Sequence, residues 1–290
     1  MKTRRSLGMA DPPTGRVVTG TYLRYLREAN KLTAAEVHGR AHMSHSDLSR
    51  VESGGRALAL SEAAMLLAGR YGISEADFEG VVRFISETEW YVKERFPSPY
   101  PYVAVDGHQG WEDRLAAVEQ RADAARFFST WLVPTFLRIP GYPNALTGLR
   151  AGAHRIPRPE GIGAGGAMVV LEKSVLARAW RGPVFADQIL HLITAVDQGR
   201  IRLRILPLDA QLNPLPAALT EYVLPGGMVL YATEEAESTT YQSGLAAESR
   251  FGGFLDRAVD ASVAEAESRE LLLDARKAVL DGTPPSHFLS

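Results

Sequence analysis

The stretch LTAAEVHGRAHMSHSDLSRVESGGR, residues 32–56, predicts two short helices joined by a tight turn. Thr33 and Glu36 have the spacing of a capping box, in which a hydroxyl and a carboxylate satisfy free backbone amides at the start of a helix. Ser44 and Asp47 repeat that spacing eleven residues later, with the shorter Asp47 side chain in the acidic position. The sequence therefore predicts that Thr33, Glu36 and Asp47 act as helix caps.

Apolar residues on both sides of this stretch can close a small core. They are Leu23, Leu26, Leu32, Val37, Ala41, Met43, Leu48 and Val51, followed by Leu58, Leu60, Ala64, Leu67 and Ile73 on later helices. The turn is expected over residues 39–43, and the Glu-Ser-Gly-Gly run at 52–55 is expected to end the second helix. These positions predict an all-α domain of five helices.

Charge is distributed unevenly along the chain, although the net charge is only −2. Residues 2–56 contain ten Lys and Arg against five Asp and Glu, so residues 57–290 have a negative excess. A basic first module on an acidic body indicates an anionic partner for the first module alone.

The composition excludes several classes of protein. The chain has no cysteine, so it has neither disulfides nor thiolate metal sites, which fits a reducing cytoplasm. The basic N-terminus lacks the apolar run of a signal peptide, and no stretch approaches the about 18 apolar residues of a membrane span. We therefore expect a cytoplasmic protein with no membrane contact, and no cofactor is indicated.

Breaks in the pattern divide the chain into five segments. They are an N-terminal arm expected to be disordered (1–15), the helix-turn-helix domain (16–84), a linker (85–110), an α+β domain (111–282) and a C-terminal tail (283–290). The linker ends in RFPSPYPY, where prolines at alternate positions favour an extended chain and exclude a helix.

The second domain is predicted to have an α+β fold. Its predicted elements are a long helix over 111–131, strands over 167–172, 201–206, 219–224 and 228–233, and helices over 184–198 and 261–280. The Pro-Gly-Gly at 225–227 is a hairpin turn between the last two strands. A small, mostly antiparallel sheet is therefore expected.

The run YLRYLREANKLTAAEVHGRAHMSHSDLSRVESGGR, from residue 22 onward, resembles the helix-turn-helix of the XRE (phage-repressor-like) regulators. The resemblance implies that a homodimer binds double-stranded operator DNA, with the second helix of each motif in the major groove. It places His45, Ser46 and Ser49 as candidates for contact with base edges, and Ser44, Arg50, Arg56, Arg24 and Arg27 as candidates for contact with phosphates. Two positions depart from the family: Ala34 stands where Gln often contacts DNA, and Asp47 puts an anion near the groove.

The segment AVEQRADAARFFSTWLVPTFLRIPGYPNAL, 117–146, is similar to the start of the DUF5753 domain found in a family of actinobacterial XRE regulators. The runs VVLEKSVL (169–176), QILHLITAVDQGRIRLRILPLDA (188–210) and MVLYATEE (228–235) fit the same family in order. The resemblance implies a sensor or partner domain, with a small acidic protein or a small-molecule signal as its partner. Residues 135–139 depart from the family's Gly-Leu-Leu-Gln-Thr.

Four other patterns contain residue types that could carry chemistry. Residues 161–166 satisfy G-x-G-x-x-G, but a strand follows them, so a flexible loop is expected rather than a dinucleotide site. Asp187 and His191 stand four apart on a predicted helix and are the candidate catalytic pair. His38, His42 and His45 lie on both sides of a turn without a carboxylate, so no metal site is expected. The aromatic residues Phe128, Trp131, Phe136 and Tyr142 are candidates for the lining of a pocket for a small apolar signal.

Three functions remain open from the sequence. The first is a transcriptional regulator whose operator occupancy changes when the C-terminal domain meets a ligand or a small protein. The second is an enzyme acting on a small metabolite through the C-terminal domain, with the helix-turn-helix kept as a scaffold. The third is an antitoxin-like module that holds a partner protein. No catalytic motif of good specificity favours the enzyme.

Overall fold

The computed structural model describes residues 11–41, 43–93, 102–142, 162–178, 182–212, 216–235 and 237–282. Residues 1–10 of the predicted arm and the predicted tail at 283–290 lie outside these ranges. So do His42 and Gly161, which belonged to the histidine and glycine patterns.

The first part of the chain forms the five predicted helices. They are α1 (Thr14–Ala29), α2 (Ala34–Ala41), α3 (His45–Glu52), α4 (Leu60–Leu67) and α5 (Glu75–Lys93). Helix α1 begins inside the predicted arm, directly after Pro13, whose carbonyl accepts from the amide of Val17 at 3.2 Å. Residues 85–93 of the predicted linker continue α5.

The expected turn between α2 and α3 was placed too early. Residues 39–41 belong to α2, so the connection to α3 is shorter than residues 39–43. A glycine inside a helix costs only about 1 kcal/mol relative to alanine, so Gly39 did not end the helix. The connection instead ends where the Ser44 cap starts α3.

The rest of the chain forms a seven-stranded mixed sheet with helices on both faces. The strands are β1 (Val103–Asp106), β2 (Ala124–Ser129), β3 (Gly166–Glu172), β4 (Ile201–Leu206), β5 (Ala218–Leu224), β6 (Met228–Glu234) and β7 (Thr239–Ser243). The helices are α6 (Trp111–Arg121), α7 (Lys173–Arg178), α8 (Pro183–Asp197), α9 (Gly244–Ala247), α10 (Gly253–Ala261) and α11 (Glu265–Asp281), with a 3₁₀ turn at Thr135–Leu137 and a π-helical turn at Glu248–Gly252.

The α+β class is confirmed, but the expectation of a mostly antiparallel sheet is wrong. The strand order is β1-β7-β6-β5-β2-β3-β4. The pairs β2–β3 and β3–β4 are parallel, and the other pairs are antiparallel. Helices α7 and α8 lie between β3 and β4 in sequence, and a crossover of this kind is what joins parallel neighbours. The four predicted strands, β3 to β6, form within one residue of their predicted ends.

The single long helix predicted over residues 111–131 is wrong. Helix α6 ends at Arg121, and residues 124–129 form β2, which pairs with a strand on each side. A central strand buried on both faces has a continuous apolar run, which is easily mistaken for a helical pattern. The short strands β1 and β7 were not predicted.

The helical domain and the sheet domain pack against each other through α1 and α6. Val17 and Val18 of α1 lie in the main core of the sheet domain, together with Phe84 of α5. In return, Ala116 and Ala117 of α6 lie in the core of the helical domain. The two domains therefore pack as neighbours in one folded body.

A glycine sets the distance between α5 and the loop that follows β1. A Cβ atom on Gly80 would lie 2.1 Å from the carbonyl oxygen of Gln109. Since real Cβ atoms do not approach an oxygen so closely, only glycine permits this contact. Beside it, His108 Nε2 lies 3.1 Å from the carboxylate of Glu87 on α5.

A fully buried ion pair lies beneath this contact. Arg114 on α6 donates two hydrogen bonds to the carboxylate of Asp106 at 2.6 and 2.7 Å, and both side chains are inaccessible to solvent. The same guanidinium donates to the carbonyls of His108 and Gln109, each at 3.1 Å, and lies over the ring of Phe84 at 5.6 Å. The pair thus joins the edge strand, α6 and the helical domain.

Replacing Asp106 by Ala is expected to lower the free energy of unfolding by about 3–5 kcal/mol, because it leaves the Arg114 charge buried without its partner. Urea denaturation followed by circular dichroism measures the loss. Arg269→Ala, which breaks the exposed pair between Arg269 and Asp197, is the control and should cost far less. Equal losses in the two variants would contradict the structural role given to the buried pair.

Candidate nucleic-acid interface

Helix α3 divides cleanly into a buried and an exposed face. Leu48 and Val51 are 1% and 2% exposed and belong to the core of the helical domain. The exposed side chains of the helix include His45, Ser46, Ser49 and Arg50. The three predicted base-contact residues and one predicted phosphate-contact residue therefore share one solvent-facing surface. We call this surface the α3 face.

The N-terminus of α3 is capped by its own side chains. The Ser44 hydroxyl accepts from the Asp47 amide at 3.0 Å and donates to the Asp47 carboxylate at 2.7 Å. The bond from the Ser44 hydroxyl lowers the pKa of the Asp47 carboxyl. Asp47 therefore remains an anion, and it is held against the start of the helix, as a capping residue is.

The start of α2 holds the reciprocal bonds of a capping box. The Glu36 carboxylate accepts from the backbone amide and the hydroxyl of Thr33, each at 2.7 Å. The Glu36 amide donates to the Thr33 hydroxyl at 3.3 Å. The two caps fix where α2 and α3 begin, and so fix the angle at which α3 presents its exposed face.

Helix α3 is held against α1 by a close backbone approach that was not predicted. A Cβ atom on Gly20 would lie 2.3 Å from the carbonyl oxygen of Val51. Glycine inside the helical pattern of α1 was the available signal, because it is a poor helix former and often marks a close contact when it occurs there.

Arg27, predicted to contact phosphate, forms a structural ion pair with a residue of α3. Its guanidinium donates to both carboxylate oxygens of Glu52 at 2.6 and 2.9 Å and to the carbonyl of Leu32 at 3.0 Å. The Arg27 and Glu52 side chains are only 12% and 8% exposed. This pair joins the end of α1 to the end of α3.

Two other predicted phosphate contacts also have carboxylate partners. Arg56 donates to both oxygens of Glu62 at 2.9 and 2.7 Å, and it lies 3.7 Å from Asp47. Arg24 donates to Glu28 at 2.9 Å across one turn of α1, and it is more exposed. Each would have to share or exchange this partner in order to bind a phosphate.

Arg50 differs from these three arginines. It is exposed, and it forms no ion pair with the residues that the structure describes. Its position on the α3 face, beside Ser46 and Ser49, leaves its guanidinium able to reach an anion. Of the five predicted phosphate contacts, the geometry favours Arg50 most.

The four aromatic residues do not line one pocket. Phe128 packs edge-on against Phe254, on one face of the sheet. Phe136 and Tyr142 are buried in the core on the opposite face, and Trp131 is 51% exposed. The prediction is wrong because it assumed a helix at 127–131, whereas neighbouring residues of a strand point to opposite faces.

The remaining candidate sites show no convergent chemistry within the described ranges. Asp187 is exposed on α8 and makes no hydrogen bond to His191. Burial and the nearby Arg200 charge lower the pKa of His191. No group of three or more His, Cys, Asp or Glu side chains is arranged there to hold a metal ion.

The glycine run before β3 has a packing role. The amides of Gly163 and Gly165 donate to the carbonyls of Ala122 at 3.2 Å and Asp123 at 2.8 Å. A Cβ atom at either glycine would lie within 3 Å of this segment. The run therefore leads into a strand, as expected, but the described residues form a turn packed against the start of β2 where a flexible loop was expected.

Comparison with known families agrees with this arrangement. The helix-turn-helix domain profile matches residues 19–81, so the fold and the α3 face define a helix-turn-helix protein. The profile of the domain of unknown function DUF5753 matches residues 113–274. Because this match spans more than half of the chain, the protein belongs to the DUF5753 family. No curated protein and no solved structure matches it. None of the described helices has the length and apolar character needed to cross a membrane.

Replacing Arg27 by Gln is expected to lower the free energy of unfolding by about 1–3 kcal/mol, because Glu52 loses both charged hydrogen bonds. Thermal unfolding of the full chain measures the loss. Arg24→Gln, a matched change one turn away in an exposed pair, should have a much smaller effect. If Arg27→Gln were as stable as Arg24→Gln, the Arg27–Glu52 pair would not hold α1 to α3.

Proposed function

We propose that the protein is a sequence-specific DNA-binding transcriptional regulator of the XRE type, whose operator occupancy changes through its C-terminal domain. The α3 face is the observation that supports this most directly. It combines short polar side chains, which can reach base edges, with an exposed guanidinium, which can reach a phosphate.

In this proposal α3 enters the major groove from its N-terminal end. His45, Ser46 and Ser49 read base edges, because they lie on the exposed face and their side chains are polar. Arg50 binds a backbone phosphate and fixes the register of the helix. Ser44 lies at the helix start, where backbone amides favour an anion.

We expect a dimer because a single copy of the interface is small and weakly charged. Helix α3 has eight residues, about 12 Å at 1.5 Å per residue, so it spans only three or four base pairs. Arg27 is committed to a structural pair, which reduces the charge available for phosphates. Two copies of α3 reading half-sites about one DNA turn apart would supply the missing affinity and selectivity.

The route from the C-terminal domain to α3 passes through shared packing. Helix α1 contacts the sheet domain through Val17 and Val18, and it meets α3 at Gly20. A ligand or small protein partner that shifts α6 against α1 would therefore move the base of α3. This proposal assigns no catalytic step to the C-terminal domain.

The decisive experiment measures binding of the purified chain to DNA from upstream of its own gene across a salt series. Wild type should prefer that DNA to unrelated duplex. Arg50→Ala should reduce the slope of log K against log salt by about 0.9, because one phosphate contact is lost. Arg269→Ala, which removes a positive charge from the C-terminal domain, is the control and should leave the slope unchanged.

His45→Ala in the same assay should lower the preference for the operator by about 1 kcal/mol, the scale of one lost base contact. Its salt slope should match wild type, because the imidazole is assigned to a base and not to a phosphate. Binding that is weak, ignores sequence and is unchanged by both substitutions would mean that the helix-turn-helix is a retained scaffold, and the proposal would be wrong.

A further inference from the structure

Three polar residues on the neighbouring strands β1, β7 and β6 form a row on one face of the sheet, close to its edge. The strand register places Asp106 of β1 opposite Thr239 of β7, and Thr239 opposite Glu234 of β6. Directly paired residues of antiparallel strands have Cβ atoms about 5 Å apart. Tyr241, two residues along β7 from Thr239, points to the same face. We call these four residues the edge cluster.

Two hydroxyls of the edge cluster have no hydrogen-bond partner among the described residues. They are the Tyr241 and Thr239 hydroxyls, and both side chains are fully buried. Leaving a buried polar group unpaired costs about 1–3 kcal/mol, and buried polar groups in native proteins nearly always have a partner. The two hydroxyls therefore indicate a partner that the described residues do not provide.

The surroundings of these hydroxyls are acidic. Burial raises the pKa of the Tyr241 hydroxyl well above its ordinary value, and the charge of Asp106 raises it further. The other charged groups that act on it are Arg114, Glu234 and Glu119. Three carboxylates and one guanidinium thus act on Tyr241, and that guanidinium is bound to Asp106.

The other two carboxylates that act on Tyr241 come from α6 and β6. Glu119 of α6, which is 1% exposed, accepts a hydrogen bond from the Tyr222 hydroxyl at 3.3 Å. Glu234 accepts from the Thr135 hydroxyl, on the 3₁₀ turn above the sheet. Thr135 and Glu234 are half-buried, whereas Asp106 and Thr239 are inaccessible. The cluster therefore approaches solvent at the Thr135–Glu234 contact.

We infer that the edge cluster binds a small organic cation through a primary ammonium group. An ammonium has three donors and no acceptor, so it can donate to the Tyr241 hydroxyl, the Thr239 hydroxyl and the Glu234 carboxylate together. Its positive charge suits a site where carboxylates outnumber the guanidinium. A neutral polyol would lack the positive charge, and an anion would be repelled by the carboxylates.

The edge cluster also adjoins the helical domain. Asp106 belongs to the cluster and holds Arg114, which lies over Phe84 of α5. Occupancy would thus change the charge beside the contact between the two domains. That the cation is the regulatory signal rests on the proposed function. Binding of the cation itself does not require DNA.

Binding is tested on the full chain without DNA, by thermal unfolding and calorimetry with 2-aminoethanol and 1,4-diaminobutane. Tetramethylammonium, which has charge but no N–H donor, and glycerol, which has donors but no charge, are the control probes. A primary ammonium should give a saturable binding heat and should raise the Tm with the logarithm of its concentration, by about 5 °C at a hundredfold excess over Kd, and the controls should do neither.

Tyr241→Phe removes the unpaired hydroxyl with little change of shape, so the variant should fold and lose at least tenfold in affinity for the ammonium probes. Tyr71→Phe removes a similarly buried hydroxyl of the helical domain that also has no hydrogen-bond partner among the described residues, and this variant should bind as wild type does. No saturable response to either primary ammonium, or an equal response in Tyr241→Phe and wild type, would overturn the inference.

The outcome is independent of the DNA-binding experiment. A chain that binds the ammonium probes but ignores operator sequence would contradict the proposed regulator and support the cation site. A chain that binds operator DNA but gives no ammonium response would do the reverse.

Discussion

The structure depends on the buried pair between Asp106 and Arg114. Both charges are withdrawn from water, so each is stable only while it holds the other and while the neighbouring carbonyls satisfy the remaining donors of Arg114. The pair joins β1 to α6, and its guanidinium lies over Phe84 of the helical domain. Apolar residues of α1 lie in the core of the sheet domain, and apolar residues of α6 lie in the core of the helical domain. Together with these residues, the ion pair makes the two domains one packed body. In the proposed function, these contacts would carry a change in the C-terminal domain to the helix-turn-helix.

Several charged side chains of the helical domain form ion pairs within that domain. Arg16, Arg27 and Arg56 each form a two-point hydrogen-bonded pair with a carboxylate of the same domain. Residues 57–93 contain six Asp and Glu against three Lys and Arg, so the basic excess of residues 2–56 is partly offset within the same helices. A net positive count therefore overstates the charge that is free for phosphates. The α3 face gains its value from shape, exposure and the Arg50 guanidinium, which forms no ion pair with the described residues.

The sheet domain buries polar groups to an unusual degree near β1 and β7. In the proposed arrangement, Asp106 serves two purposes, because it anchors Arg114 and borders the hydroxyls of Thr239 and Tyr241. A cation bound to Glu234 and the two hydroxyls would lie beside the carboxylate that holds Arg114 at the contact between the domains. This closeness offers a physical basis for coupling that needs no long chain of intermediate residues.

The sequence by itself determined the helix-turn-helix and four strands, because caps, turns and apolar alternation act over a few neighbouring residues. The bonds within Thr33–Glu36 and Ser44–Asp47 are local in this sense. Only the tertiary structure decided the role of Arg27, whose partner Glu52 lies 25 residues away. It also decided that residues 124–129 form a strand, because burial between two neighbouring strands outweighs the local helical pattern. The edge cluster likewise exists only through the register of β1, β6 and β7, which no short-range pattern specifies.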